Sequence, residues 1–334
     1  MRTADLDLAT LRCEQDGRVL TVRVVSPPFN YMTAAMQDDL VRLVAAVDAD
    51  DGVGAVILTG GVPGRYITHF DIADLLHSAE TLPPTLPRAP VSLAVRVIKT
   101  ISAVGGGPAR RLLDRTPLAS LGLLARFHAA CEAILRSPAV WIAAVDGPCG
   151  GGGLEVSTFF DVRLASADAH FMLPELTIGL TTTFGGQQLA KVIGPVRALE
   201  LMLEARAITA AEASEVGLVN SVVDGDVLAA AQELAARYAR RPRSVVAAQK
   251  AVFHDDVPLS ESLTREAVDQ MIGLSTRVTR AALRCWLRRQ DPSGDSTFLT
   301  DLEPWRDGTA LDMNAGAGQR RDEEAVGSTA GRTS

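Results

Sequence analysis

No apolar run in this sequence approaches the roughly 18 residues that a membrane helix needs, and the amino terminus, MRTADLDLATL, carries acids where a signal peptide would carry a basic start and an apolar core. The expectation is a soluble, cytoplasmic protein with no membrane partner. Paired cysteine spacing is also missing. Cys13, Cys131, Cys149 and Cys285 are scattered without a CxxC or Cys/His pattern, which predicts free thiols rather than disulfides or a zinc site. Basic excess is absent: 33 Lys and Arg face 40 Asp and Glu, a net charge of −7, so a nucleic acid, which requires a broad basic face, is not the expected partner. There is no internal repeat. What the chain does have is 334 residues, 47% of them hydrophobic and 22% charged, enough for a sizeable core in one large domain or two small ones.

The most informative stretch is Ala143 to Glu155, AAVDGPCGGGGLE, where an apolar strand-like run stops at Asp146-Gly147 and four adjacent glycines lead into Glu155. Glycines in such a run weaken regular structure, so they suggest that the backbone itself approaches a ligand atom. If a helix continues through Val156 to Phe160, Gly152 and Gly153 lie in its first turn, where unpaired N–H groups and the positive dipole end favour an anion. That is a prospective oxyanion hole. A flexible turn is the plainer reading. A nucleotide loop fits less well, because no Lys-Ser/Thr follows the glycines and no clean GxGxxG opens there. Cys149 lies beside them without a histidine as sequence neighbour and reads as a structural thiol.

Taken in order, Leu11–Cys13 and Val19–Val25 read as a hairpin around Asp16-Gly17. Thr33 is placed to cap a helix with Met36, Leu40, Leu43, Val44 and Val47 on one face, and Val53–Thr59 is an apolar strand suited to burial on both faces. Strand, helix, strand favours a parallel sheet with ligands beyond the carboxyl ends of the strands, where the loop Gly60 to Asp71 lies. Residues 80–117, rich in Pro and Gly around the apolar piece Val91–Val104, read as an insertion holding one helix. A helical period returns from Leu118 to Arg136, and Val140–Val145 is the strand that delivers the glycines. Pro174 should present Glu175 from a turn or a helix start, and Thr209 to Glu212 is a capping box. Helices are expected at Val227–Arg240, Ser244–Phe253 and, in two segments, Leu263–Arg289.

Several blocks in order resemble the enoyl-CoA hydratase/isomerase, or crotonase, superfamily: AVILTGG at Ala55–Gly61, AAVDG followed by GGGLE at Ala143–Glu155, FMLPELTIGL at Phe171–Leu180, FGGQQLAKVIG at Phe184–Gly194 and ARAITAAEASEVGLVNSVV at Ala205–Val223. The resemblance implies an α/β fold, a crotonase-like spiral of ββα units over residues 1–205 with the insertion at about 80–117, followed by a C-terminal helical region over 206–312; the stretch 313–334 is too polar to bury and reads by its composition as a disordered tail. The resemblance further implies an acyl-CoA thioester as substrate, coenzyme A entering only as part of that substrate, no metal, and a homotrimer or homohexamer. Glu155 and Glu175 match the family's two catalytic glutamates, twenty residues apart, and Gly152 matches one oxyanion donor. Hydration of a conjugated thioester needs a base for the water at C3, an acid for C2 and N–H groups for the enolate-like oxygen.

The family's Ala-Gly-x-Asp arrangement is replaced here by Thr68-His69-Phe70-Asp71, which puts Thr68 at the other donor position and His69 where glycine is expected. His69 is either packed in its loop or in contact with substrate; with Asp71, Gly151, Arg110 and Arg111 it completes the candidate substrate-binding set. Between Arg88 and Arg115 six basic residues face one acid, a net +5 inside an acidic chain. Such a piece is either a solvated helix face or a lid whose Val91–Val104 side lines the acyl tunnel while its basic side meets the phosphates of coenzyme A. Two function classes follow: an enzyme, with hydration ahead of isomerisation or thioester hydrolysis because both glutamates are present, or a non-catalytic acyl-CoA-binding homologue with an altered loop.

Overall fold

The opening hairpin forms as its turn chemistry requires. Strand β1 (Leu11–Asp16) pairs antiparallel with β2 (Val19–Val24), and Gly17 takes the φ of +55° that the tight turn needs. The computed structural model describes residues 3–83, 85–103, 116, 118–241, 243–254, 267–268, 270–306 and 310. Helix α1 (Ala34–Ala49) starts where the Thr33 hydroxyl accepts the Met36 N–H at 3.2 Å, and its predicted apolar face is buried. β3 (Ala55–Gly60) lies parallel to β2. There follow α2 (Ile72–Glu80), α3 (Arg88–Ala103) and α4 (Ala119–Ile134).

Two successive turns of chain then repeat one plan. β4 (Val140–Val145), β5 (Pro148–Gly150) and α5 (Gly152–Thr158) are followed by β6 (Val162–Ser166), β7 (His170–Met172), a 3-10 turn at Glu175–Ile178 and α6 (Thr183–Ile193). The first strand of each turn joins a six-stranded sheet ordered β1-β2-β3-β4-β6-β9, and the second joins a three-stranded sheet ordered β5-β7-β8. This is the ββα spiral expected from the resemblance. After α7 (Pro195–Glu204), β8 (Ile208–Thr209) and β9 (Ser221–Val223) flank α8 (Ala210–Glu215), whose capping box between Thr209 and Glu212 is present. Both strands complete sheets, so a core ending at 205 would cut through them. Helices α9 (Val227–Tyr238), α10 (Arg243–His254), residues 270–275, α11 (Arg277–Arg289), α12 (Thr297–Thr300) and α13 (Glu303–Arg306) follow. No helix among the described residues is long and apolar enough to cross a membrane. Residues 313–334 lie outside the described residues.

Burial on both faces of the large sheet explains its continuous apolar strands. Val56 and Leu58 of β3 face the main core with α1 and α4, while Ala55 and Ile57 face the opposite side, where Ala231 and Ala235 of α9 let that helix approach closely. The apolar face of α3, carrying Val91, Val95 and Ile98, packs on Leu121 of α4 and on Ala267 and Val268. A separate cluster joins α2 to the C-terminal region through Ile72, Leu283, Trp286, Phe298 and Trp305.

Beyond the end of β2, Asn30 is fully buried and holds φ at +52°, a conformation asparagine tolerates better than most residues. Its side-chain amide donates to the carbonyls of Val24 (3.1 Å), Arg65 (3.1 Å) and Tyr66 (3.0 Å), its side-chain oxygen accepts the Ser26 N–H, and its own carbonyl accepts the Thr68 N–H at 3.2 Å. One residue thus fixes the loop after β3 to the end of β2. Asn30→Ala is expected to lower unfolding stability by about 2–4 kcal/mol, the scale for stranding several buried polar groups and forcing alanine to positive φ. Urea unfolding checks this, and a loss under about 0.5 kcal/mol, the ordinary surface-substitution scale, would remove Asn30 from that role.

Candidate active site

The glycine run is packed too closely for side chains. Gly151 sits at φ +47°, and a Cβ there would lie 2.7 Å from Glu175 Oε1; one on Gly152 would lie 2.6 Å from the Phe70 ring and 2.8 Å from Met32 Sδ. At the start of α6, a Cβ on Gly185 would overlap the Glu155 side chain. Bare backbone is therefore what lets Glu155, Glu175 and Phe70 converge around the first turn of α5. Glu155 is 3% exposed. Both glutamates form part of the wall of one cavity of about 250 Å³, otherwise lined mainly by aliphatic side chains such as Leu75 and Leu82 near α2, Leu121 and Leu124 on α4, and Met271 and Leu274. Burial pushes the Glu175 carboxyl up to about 7, and its Oε2 has no hydrogen-bond partner.

Two main-chain amides beside this region are left without a backbone partner. No backbone hydrogen bond engages the Gly152 N–H, which opens α5. In the loop after β3 the candidate donor has to be corrected. The Thr68 N–H is committed to the Asn30 carbonyl at 3.2 Å, and Thr68 is therefore not the free amide. The Thr68 carbonyl faces Gly150, so the His69 N–H of the same trans peptide points away from the glycine segment. The His69 carbonyl is held by the Met32 N–H at 2.7 Å, which turns the Phe70 N–H away from Met32 with no backbone bond of its own. Phe70, not Thr68, supplies the available amide.

Other expectations resolve differently. The Gly151 N–H donates to the Met172 carbonyl at 3.0 Å, so this residue provides space rather than a donor. Asp71 borders the cavity, and its Oδ1 also caps α2, accepting the N–H groups of Ala73 (2.8 Å) and Asp74 (3.2 Å). His69 borders the cavity with both ring nitrogens engaged, one 2.6 Å from the Phe70 carbonyl oxygen and the other 2.6 Å from Ser296 Oγ, and burial lowers its pKa to about 4. It is the packed histidine of the two readings. Arg110 and Arg111 lie outside the described residues. Helix α3 contributes nothing to the cavity wall among the described residues; it stands one layer behind α4, which corrects the expectation that Val91–Val104 lines the tunnel. Cys149 is fully buried, its thiol pushed up to about 12 by that burial, which suits a structural thiol. Among the described residues no group of three or more His, Cys, Asp or Glu is placed to hold a metal.

The sequence reading missed Phe70 as donor, α2 as a cavity wall and Ser296 as a partner of His69. For α2 a signal was available: Asp71 followed by Ile72, Leu75, Leu76 and Ala79 at helical spacing. For Ser296, 227 positions from His69, there was none.

The sequence model of the family described as enoyl-CoA hydratase/isomerase matches residues 121–284. A protein of Rhizobium meliloti named a probable enoyl-CoA hydratase is 30% identical over 221 residues, 66% of this chain and 70% of that one. The short-chain-enoyl-CoA hydratase of Clostridium acetobutylicum is 28% identical over 233 residues, 69% of this chain and 75% of that one. Among solved structures, the enoyl-CoA hydratase from Bacillus halodurans superposes with a TM-score of 0.67 over 83% of this chain and 99% of that one, at 16% identity, a likeness of fold.

The raised Glu175 pKa has a thermodynamic signature with a definite sign. An acid whose folded pKa exceeds its unfolded value binds more protons when folded, so its contribution to stability is fully present below about 4.5 and is lost as pH rises through about 7. Relative to wild type, Glu175→Gln should therefore gain stability between pH 4.5 and 7 and hold that gain above. Denaturant midpoints for both proteins across pH 4–9 test this, and a constant difference would mean the carboxyl is not buried as described.

Proposed function

The chain belongs to the enoyl-CoA hydratase/isomerase family, and on that footing we propose that it hydrates a 2-enoyl-CoA to a 3-hydroxyacyl-CoA. The observation that carries this reading is the presence of Glu155 and Glu175 in the wall of one cavity beside the unpaired amides of Gly152 and Phe70. Pushed up to about 7, Glu175 is protonated in a substantial share of molecules at neutral pH and is suited to deliver that proton to C2. Glu155 takes the proton of the water that attacks C3, and the two amides stabilise the oxygen that becomes enolate-like until C2 receives the Glu175 proton. An apolar wall suits an acyl chain and excludes competing water.

Loss of enoyl-thioester absorbance with crotonyl-CoA and longer enoyl-CoAs tests the reading. Glu155→Gln and Glu175→Gln should each lower turnover by roughly two to four orders of magnitude with the fold intact, the scale of lost acid–base help. Full activity in Glu175→Gln would leave an isomerase, which can shuttle a proton on one carboxylate, or a hydrolase. An inactive wild type that binds acyl-CoA would leave a binding protein.

Chain length has its own residue. Leu121 lies in the wall of the main cavity and also in the wall of a smaller one behind it, shared with Val95 and Ile98 of α3, Ala125 and His128 of α4, and Ala267. Leu121 is thus shared by both walls. Leu121→Ala should raise kcat/KM for ten-carbon relative to four-carbon enoyl-CoAs by about tenfold or more, the worth of one or two accommodated methylenes. An unchanged length profile would place the end of the acyl site elsewhere.

A further inference from the structure

We propose that Ser296 is a positioning residue for the oxyanion loop, acting through the His69 imidazole and never touching substrate. The inference rests on the proposed oxyanion role of Phe70 and names what holds that amide in place. A carbonyl oxygen only accepts, so the His69 Nδ1 that lies 2.6 Å from the Phe70 carbonyl oxygen must carry the ring proton. The other nitrogen of a neutral imidazole is then an acceptor, and Ser296 Oγ, 2.6 Å away, must donate to it. Ser296 thus satisfies the Nε2 lone pair of the tautomer that clamps Phe70.

The clamp acts on the peptide next to the proposed donor. The Phe70 carbonyl is fixed by His69, the Asp71 N–H of the same peptide donates to the Met32 carbonyl at 3.0 Å, and the preceding peptide is held by the Met32 N–H on the His69 carbonyl. With the peptides on both sides of Phe70 pinned, its N–H has one direction. Removing the Ser296 hydroxyl leaves the buried Nε2 lone pair without a donor, which loosens the ring and weakens its clamp on the Phe70 oxygen.

The placement of Ser296 supports this assignment. It occupies the N-cap position of α12, where a serine hydroxyl usually accepts a helix N–H, yet its side chain makes no cap bond and is directed to His69 instead. It is fully buried, and its neighbours dock the same segment onto the site: Asp295 pairs with Arg65 at 2.7 Å, and the Tyr31 hydroxyl donates to the Gly294 carbonyl at 3.0 Å. The His69 ring stacks on Tyr31 with centroids 4.7 Å apart and meets Trp286 edge-on at 5.5 Å, so it cannot easily turn to another partner.

Three measurements test the proposal. Nitrogen-15 NMR of wild-type protein should show His69 as the Nδ1–H tautomer; the Nε2–H tautomer would overturn the assignment without any variant. Ser296→Ala should lower kcat about 10- to 100-fold with KM within about twofold, less than the 10²–10³ of a deleted oxyanion donor, and Ser296→Thr should restore it. The third readout is independent of turnover. Bound butanoyl-CoA, a saturated thioester, should show its carbonyl stretch moved to lower frequency in wild type and partly moved back in Ser296→Ala. No shift even in wild type would refute the oxyanion reading itself. A shift that Ser296→Ala leaves intact, with kcat within twofold, would refute the role of Ser296 alone.

Discussion

Everything at the site depends on how the loop after β3 is anchored, and the anchor is Asn30. Its side chain and carbonyl engage Val24, Ser26, Arg65, Tyr66 and Thr68, so the ends of two neighbouring parallel strands are joined by one buried amide. Loops beyond strand ends are usually the mobile part of an α/β architecture. Here the first half of the loop is as constrained as the sheet. That constraint decides which amide is left over: Asn30 takes the Thr68 N–H, and the amide without a backbone partner is that of Phe70, two residues along.

The opposite wall of the site follows a different rule, the removal of side chains. Gly151, Gly152 and Gly185 make room for Glu175, Phe70 and Glu155 respectively, so three bulky groups meet where the helix α5 begins. Burial created by this crowding raises the Glu175 pKa, which places its proton exchange near neutrality. Packing and acid–base chemistry are therefore one property here.

Much of this was legible in the sequence where the cause is local. The Asp16-Gly17 turn, the Thr33 cap and the strand Val140–Val145 depend on neighbours within a few residues and appear where expected. The glutamates and Gly152 could be placed from ordered blocks, and they border a common site. The misreadings concern relations across the chain. Which amide near Thr68 is unpaired is set by Asn30, 38 positions earlier, and the fate of His69 is set by Ser296. That Asp71 caps α2 through the N–H groups of Ala73 and Asp74 while bordering the cavity was not foreseen, because the helix it opens was not. Helix α3 was recognised as a helix, but its distance from the cavity depends on α4 lying between.

The contact between His69 and Ser296 spans 227 positions of sequence. Bringing such distant residues together carries a large loop-closure entropy, which the intervening sheets must already have offset before the contact is favourable. Everything up to Ser296 must leave the ribosome before this bond can exist at all. The sheets and the glutamates can assemble earlier, on their own local and mid-range contacts. The contact that holds the His69 ring is therefore made only after Ser296 has been synthesised, so a chain stalled or clipped before that residue carries the glutamates without it.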